Sequence, residues 1–280
     1  MPTALAIDIG GTKLAAGVVD DAGAVLVRAT VPTPAEGVFG ALQGLVRSVR
    51  SGDEVACGVG CGGPMSAGGS EVSPLNIPDW RDFPLRERLA SLTGLPVFVD
   101  NDAKALALGE GWVGAATGER DYLAMVVSTG VGGGIVLDGR LLDGVDGNAG
   151  HIGHVIVEPD GRPCVCGARG CLEAEASGTA IAAITGRAAA EASPEVIQRT
   201  GTLVGRAVGS VANLLDLRLA VVAGSVALGF GEPFFAAAQA ELDRVARLDF
   251  SRGTVIRPGG LAADGPLVGA AAVGFQRLGH

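Results

Sequence analysis

Between Gly150 and Glu173 the chain reads GHIGHVIVEPDGRPCVCGARGCLE, which sets His154, Cys164, Cys166 and Cys171 among Pro159, Gly161, Pro163, Gly167 and Gly170. Three thiolates and one imidazole fill a tetrahedral zinc sphere, and small or turn-forming residues let a backbone wrap the ion. With all four positions taken by protein, such a metal is structural and leaves no place for an activated water. The competing explanation is a disulfide beside an incidental histidine, but Cys164 and Cys166 are too close in sequence to cross-link comfortably. His151 and Glu173 bracket the cluster. A histidine that binds metal through one ring nitrogen keeps the other for a hydroxyl-rich ligand, so the cluster could position a recognition site.

A second kind of chemistry sits in two glycine-rich stretches. The strand-forming run Leu5 to Ile9 turns through Gly10-Gly11-Thr12-Lys13 into a second strand, Leu14 to Val19. The exposed N–H groups of such a turn, with the Thr12 hydroxyl and Lys13, can hold phosphate oxygens, and Asp8 beside it can face the associated magnesium. No helix with GK[ST] follows, so it is not a P-loop, and by itself the segment reads as an ordinary glycine turn. The pattern then recurs: Tyr122 to Ser128 is apolar, Thr129-Gly130-Val131-Gly132-Gly133-Gly134 is a glycine turn, and Ile135 to Leu137 returns. One hairpin of this kind early in each half suggests a duplicated fold holding a nucleotide between two phosphate-binding turns. Gly224-Ser225, after the strand Leu219 to Ala223, suits the adenosine part.

Two further polar groups stand at element ends. Asp100-Asn101-Asp102 closes the strand Val97 to Val99 just before a helix over 103–111, where open α/β sheets keep their chemistry. One aspartate is expected to be the helix N-cap and the other is a candidate general base. Asn76 lies in SPLNIPDW, a loop too rich in proline for helix or strand, where it can bind a polar ligand atom or cap a turn.

The elements that must position these residues follow in order. Ala24 to Val31 and Glu54 to Gly60 read as strands and Val38 to Val49 as an amphipathic helix, so the first half predicts a mixed sheet. A helix is predicted over 83–92. Past the cluster a helical region runs from Ala176 to Leu217, followed by a helix over 233–247, a strand over 254–256 and a last helix over 266–278. Its Ala- and Gly-rich stretches between Thr179 and Leu217 could pack closely against a partner.

Composition bounds the function class. The chain has 280 residues, with Lys and Arg at 21 against Asp and Glu at 30. The net charge of −9 argues against nucleic-acid and membrane surfaces and favours small solutes as partners. No apolar run is long enough to span a bilayer, and the N-terminus lacks the pattern of a signal peptide, so a cytoplasmic protein is expected. Cys57 and Cys61 read as small buried hydrophobes.

DIGGTK, NDA, STGVGGG, GHIGH and CVCGARGCLE stand in the order found in the ROK family of bacterial sugar kinases and repressors, which this chain resembles over essentially its whole length. The C-x-C-G-x-x-G-C spacing is specific to that family, whereas the glycine hairpins are shared with the wider actin and hexokinase superfamily. The resemblance implies an α/β, two-domain actin-like ATPase fold, ribonuclease H-like, with a cleft between domains. The smaller N-terminal domain would comprise 1–108 and 265–280, and the larger, with the zinc loop, 109–264. It implies ATP, Mg2+ and structural Zn2+ as cofactors, a hexose as substrate, phosphoryl transfer to the sugar 6-hydroxyl, and association as a dimer or tetramer. Asp102 matches the catalytic base. Gly63, Asn76, Asn101, Asp102, His151, His154 and Glu173 match sugar-contacting positions. Asp8, Gly10, Gly11, Thr12, Lys13, Thr129, Gly130, Gly132 and Gly224 would hold ATP and its magnesium.

Two departures stand out. Active hexokinases of the family usually read GEIGH, and His151 replaces that glutamate; an imidazole offers one acceptor and one donor where a carboxylate accepts twice. Cys61-Gly62-Gly63-Pro64 replaces a related proline-bearing turn. Glucose is the expected sugar by analogy, with N-acetylmannosamine, mannose and fructose as alternatives. A sugar-sensing repressor would need a helix-turn-helix ahead of the first hairpin, which here begins within a few residues of Met1. A sugar-binding protein with weak catalysis is the third reading.

Overall fold

Alternation of large and small apolar residues decides how the first sheet is covered. In strand β1 (Thr3–Ile9), Leu5, Ile7 and Ile9 point to one face and Ala4 and Ala6 to the other. The computed structural model describes residues 1–279 and shows two compact units. The first comprises Met1–Thr117, Asp143–Ala149 and the chain from Leu261 onward; the second comprises Gly118–Leu142 and Gly150–Gly260. The division thus lies after Thr117 rather than at 108, and residues 143–149 pack with the first unit although their flanks belong to the second.

In the first unit β1 pairs antiparallel with β2 (Lys13–Asp20), which pairs antiparallel with β3 (Val25–Pro32). After helix α1 (Val38–Val49) come β4 (Glu54–Cys61), helix α2 (Leu85–Thr93), β5 (Val97–Asn101) and helix α3 (Asp102–Val113). Strand order is β3-β2-β1-β4-β5, with β1, β4 and β5 parallel. The expected mixed sheet is therefore present. Leu42, Leu45 and Val46 of α1 and Leu85 and Leu89 of α2 cover the large-residue face. The predicted helix over 83–92 starts two residues late, because Phe83 instead exchanges backbone hydrogen bonds with Val72.

The second unit repeats the plan. Strand β6 (Tyr122–Val127) pairs antiparallel with β7 (Val131–Leu137), and β7 with β8 (Arg140–Leu141). Helices α4 (Leu172–Ala176), α5 (Gly178–Thr185) and α6 (Pro194–Leu215) precede β9 (Leu219–Ala223), α7 (Ser225–Phe230), α8 (Glu232–Val245) and β10 (Val255–Pro258). The order β10-β9-β6-β7-β8, with β6, β9 and β10 parallel, matches the first sheet strand for strand. Helix α9 (Gly265–Leu278) belongs to the first unit, where Leu267, Ala270, Ala271 and Phe275 lie on the small-residue face of β1.

One sequence expectation is corrected here. The second glycine turn is shorter than 129–134, because Gly132, Gly133 and Gly134 lie in β7, paired with Val126, Met125 and Ala124. A Cβ at Gly133 would lie 2.9 Å from Ile152 Cγ2 and 3.1 Å from the Gly150 carbonyl, so glycine there admits a neighbouring chain rather than turning this one. The Gly-rich face of α6, read as material for association, is occupied inside the unit: a Cβ at Gly205 would stand 2.1 Å from the Ala238 carbonyl of α8. No helix among the described residues is long and apolar enough to cross a membrane.

Candidate functional site

In the first unit the predicted residues gather at the C-terminal ends of three parallel strands. Register places Asp8 of β1 beside Gly60 of β4, Gly60 beside Asp100 of β5, and Cys61 beside Asn101. The turn after β1 is closed by the Gly10 N–H donating to the Lys13 carbonyl at 3.0 Å and by the Thr33 hydroxyl donating to the Gly10 carbonyl at 2.7 Å. Asn76 packs against this turn. A Cβ at Gly11 would fall 2.3 Å from Asn76 Cβ, so glycine is required for the loop to come this near. The Asn76 loop is fixed by a residue the sequence reading missed: Arg81 Nη1 donates to the carbonyls of Pro74, Ile77 and Trp80 at 3.2, 3.2 and 2.7 Å.

Asn101, not either aspartate, caps helix α3, which corrects the expectation. Its Oδ1 accepts the Ala103 N–H at 3.0 Å, and Asp102, already the first helical residue, shares that N–H at 2.9 Å. An extended Asn101 backbone places its side chain where the cap must be, which leaves Asp102 exposed at the helix mouth. Gly63, beside a cis Gly63–Pro64 peptide, approaches the Asn101 side chain, with a Cβ there 3.8 Å from Nδ2.

Asp8 carries the electrostatic signature of the site. Burial, then the neighbouring Asp102 carboxylate, pushes it from the usual 3.8 to about 7, with Lys13 offsetting only part. A buried carboxylate with a second one beside it suits a divalent cation. A raised folded-state pKa gives stability that is complete below the unfolded value near 3.8 and is lost as pH rises through about 7. Asp8→Asn should therefore melt above the unaltered protein at pH 8 but not at pH 4, by roughly 2 kcal/mol at this half-buried position. Thermal melts from pH 4 to 9 test this, and parallel curves would remove the charge conflict.

Asp100 serves differently, as part of a cluster the sequence reading did not find. Lys104 of α3 is buried, and its ammonium donates to Asp143 Oδ1 at 2.7 Å and the Gly147 carbonyl at 3.1 Å, with Asp100 Oδ1 at 3.2 Å. Arg277 of α9 stands 3.6 Å from Asp143 and 4.0 Å from Asp100. The signal was a lone lysine just ahead of the apolar run ALALG that α3 buries.

In the second unit the turn Ser128–Gly130 is closed by the Ser128 N–H to the Gly130 carbonyl at 2.9 Å. The Thr179 hydroxyl donates to the Thr129 carbonyl at 2.9 Å, and Ser128 Oγ meets Ser225 Oγ, next to Gly224, at 2.9 Å. Thr129, Gly130 and Gly224 are thus brought together at the ends of β6 and β9, with Gly132 set back in β7. Glu173, in the first turn of α4, accepts the Val131 N–H at 2.9 Å and so joins the glycine turn to the cysteine cluster.

That cluster is assembled. The ligand atoms of His154, Cys164, Cys166 and Cys171 all lie within 4.8 Å of one another. Cys164 Sγ is 3.7 Å from His154 Nδ1, and the Cys166 and Cys171 sulfurs are also 3.7 Å apart. Tetrahedral zinc with Zn–S near 2.3 Å and Zn–N near 2.0 Å sets such edges at about 3.5–3.8 Å, so the donor set fits the ion. All five cysteines are free thiols, against the disulfide alternative. Buried Glu175 receives the Arg162 N–H at 2.6 Å and the guanidinium groups of Arg162 and Arg199 at 2.8 and 2.5 Å, while Arg206 donates to the Val157 carbonyl at 2.8 Å. The loop's base is therefore pinned to α6 independently of its tip. His151 is exposed, its ring 6.0 Å from that of His154.

Comparison with known proteins adds to this geometry. The model of the ROK family matches residues 4–276. A glucokinase of Thermotoga maritima is 43% identical over 185 residues, 63% of this chain and 58% of its own length, so the match spans less than two thirds of that relative. An N-acetylmannosamine kinase of Citrobacter koseri is 39% identical over 81% of this chain and 84% of its own length. The crystal structure of a ROK family glucokinase from Streptomyces griseus in complex with glucose and AMPPNP superposes with a TM-score of 0.86 at 32% identity, covering 98% of this chain and 99% of that one.

Proposed function

The chain belongs to the ROK family, and from that premise we propose that it is an ATP-dependent hexose kinase that phosphorylates the 6-hydroxyl of glucose. The observation that carries this reading is Asp102, exposed at the mouth of α3 and close enough to raise the pKa of Asp8 beside the glycine turn. It is supported by the two kinase relatives and by the glucose and AMPPNP held by the Streptomyces protein.

On this reading Asp102 accepts the proton of the attacking hydroxyl. Asn76 and Asn101 hold sugar hydroxyls, with Gly63 beside Asn101, and His151, His154 and Glu173 are the further sugar contacts. The backbone N–H groups of Gly10 to Lys13, with Thr12 and Lys13 side chains, hold phosphate oxygens, and Thr129, Gly130, Gly132 and Gly224 belong to the nucleotide site. Magnesium, when bound, neutralises phosphate charge, and Asp8 is the residue that would hold it. Zinc, held by His154, Cys164, Cys166 and Cys171, would fix the loop that carries His154 and leads into Glu173.

Sugar choice turns on His151. A carboxylate there can accept from two hydroxyls, whereas a neutral imidazole accepts one and donates one. ATP-dependent phosphorylation should be measured over glucose, mannose, fructose, N-acetylglucosamine and N-acetylmannosamine, with His151→Glu alongside. The expected result is turnover of glucose above the others, and a glucose KM lowered several-fold in His151→Glu with the ATP KM unmoved. Preference for N-acetylmannosamine would reassign the substrate. No turnover of any sugar by the unaltered protein would overturn the kinase reading.

A further inference from the structure

We infer that Lys104 is a positioning residue, which clamps residues 143–149 to the helix that begins at Asp102 and so fixes the point from which the chain departs toward His151. An ammonium has three donors, and here its three close acceptors are Asp143 Oδ1 at 2.7 Å, the Gly147 carbonyl at 3.1 Å and Asp100 Oδ1 at 3.2 Å. Asp100 is joined through one peptide to Asn101 and through two to Asp102, so the same ammonium touches both the strand end that carries the proposed sugar ligand and base and the segment that precedes the proposed sugar-contact stretch.

The segment has little else of its own. It contains Gly144 and Gly147, both at positive φ, and one internal backbone bond, from the Ala149 N–H to the Asp143 carbonyl at 2.9 Å. Val145, Asp146 and Asn148 are exposed. A seven-residue stretch without helix or strand is held by its anchors, and the buried anchor is Lys104, with Arg277 at 3.6 Å from Asp143 on the outer side. Because Ala149 is followed directly by Gly150 and His151, loss of the anchor frees the start of the sugar-contact stretch while leaving the two phosphate turns, none of whose contacts include Lys104, in place.

The kinetic consequence rests on the kinase reading; the structural one does not. Lys104→Met removes all three donors, and Asp143→Asn, at a half-buried position, weakens one of them with less danger to folding. Hydrogen exchange should show the amides of 143–149 exchanging at least tenfold faster in both variants, with the strands of the first sheet unchanged. In the assay the hexose KM should rise about tenfold in Lys104→Met and a few-fold in Asp143→Asn, with the ATP KM within twofold of the unaltered protein. The double variant should be no worse than Lys104→Met, since the two act as one clamp. Unchanged exchange in 143–149, or variants that melt lower while both KM values stay put, would overturn the inference. If the unaltered protein phosphorylates no hexose, the kinase reading fails, and the exchange result still decides whether Lys104 is the clamp.

Discussion

Asp102→Asn should lower turnover about a thousandfold while hexose binding remains measurable. Positioned general bases contribute roughly 10²–10⁴-fold, and here the substitution isolates that contribution. The Ala103 N–H is shared by Asn101 Oδ1 at 3.0 Å and Asp102 Oδ1 at 2.9 Å. An asparagine at 102 can still accept it through its own carbonyl, and Asn101 still caps the helix, so α3 starts as before. The change is confined to the outward oxygen, an acceptor replaced by an NH₂ group that cannot take a proton. A second effect follows from the neighbour. Removing the Asp102 charge relieves the repulsion that helps push Asp8 to about 7, so the acid limb of any residual activity should move to lower pH. Steady-state kinetics with glucose and ATP, together with calorimetric titration of the sugar, read both. A kcat within tenfold of the unaltered protein would end the general-base assignment, and loss of sugar binding alongside turnover would make Asp102 a ligand first.

Much of this fold was readable where the signal is local. Helix α1 falls on Val38–Val49 as its amphipathic period predicts, and the two hairpins announce themselves by apolar runs broken at glycine. The duplicated plan, inferred from those hairpins alone, appears as two sheets of identical strand order. The cysteine cluster was equally local, since its four ligands fall within one short, turn-rich stretch, and proximity in sequence made proximity in space almost unavoidable.

What stayed hidden depends on a partner distant in sequence. Gly132 to Gly134 look like a turn because glycine has no side chain to show a two-residue period; their place in β7 is set by Ile152 and the Gly150 carbonyl, which crowd Gly133. The α6 glycines gave the small face but not its occupant, α8. Lys104 showed only as the one lysine of a mostly apolar helix, and the acids that neutralise it lie before it at Asp100 and far after it at Asp143. The N-cap at 101 was missed for a subtler reason: in Asp100-Asn101-Asp102 all three residue types cap well, and only the backbone decides which is the one half outside the helix.

Cys166→Ser should abolish tight zinc binding and lower the melting temperature by about 10 °C, corresponding to about 3 kcal/mol for a protein of this size. Cys166 is the exposed cysteine of the cluster, so a hydroxyl in its place costs little through packing and the change reports the metal. Without the ion, three sulfurs cannot all be thiolates at close quarters; burial and then the neighbouring thiols push Cys171 up to about 12, and the tip of the loop loses what holds it together. The base should survive, because Glu175 keeps Arg162 and Arg199 and Arg206 keeps the Val157 carbonyl. The variant should therefore remain folded and melt cooperatively, but with His154 released and Glu173, two residues beyond Cys171, less firmly set. The hexose KM should rise about tenfold and the ATP KM should change little. Elemental analysis of the unaltered protein, with melts of both proteins before and after chelation, separates the outcomes. One equivalent of zinc, and a chelated protein that melts like Cys166→Ser, is the expected pair. An unaltered protein without zinc whose melting matches that of the serine variant would mean that the four ligands hold the loop by packing alone.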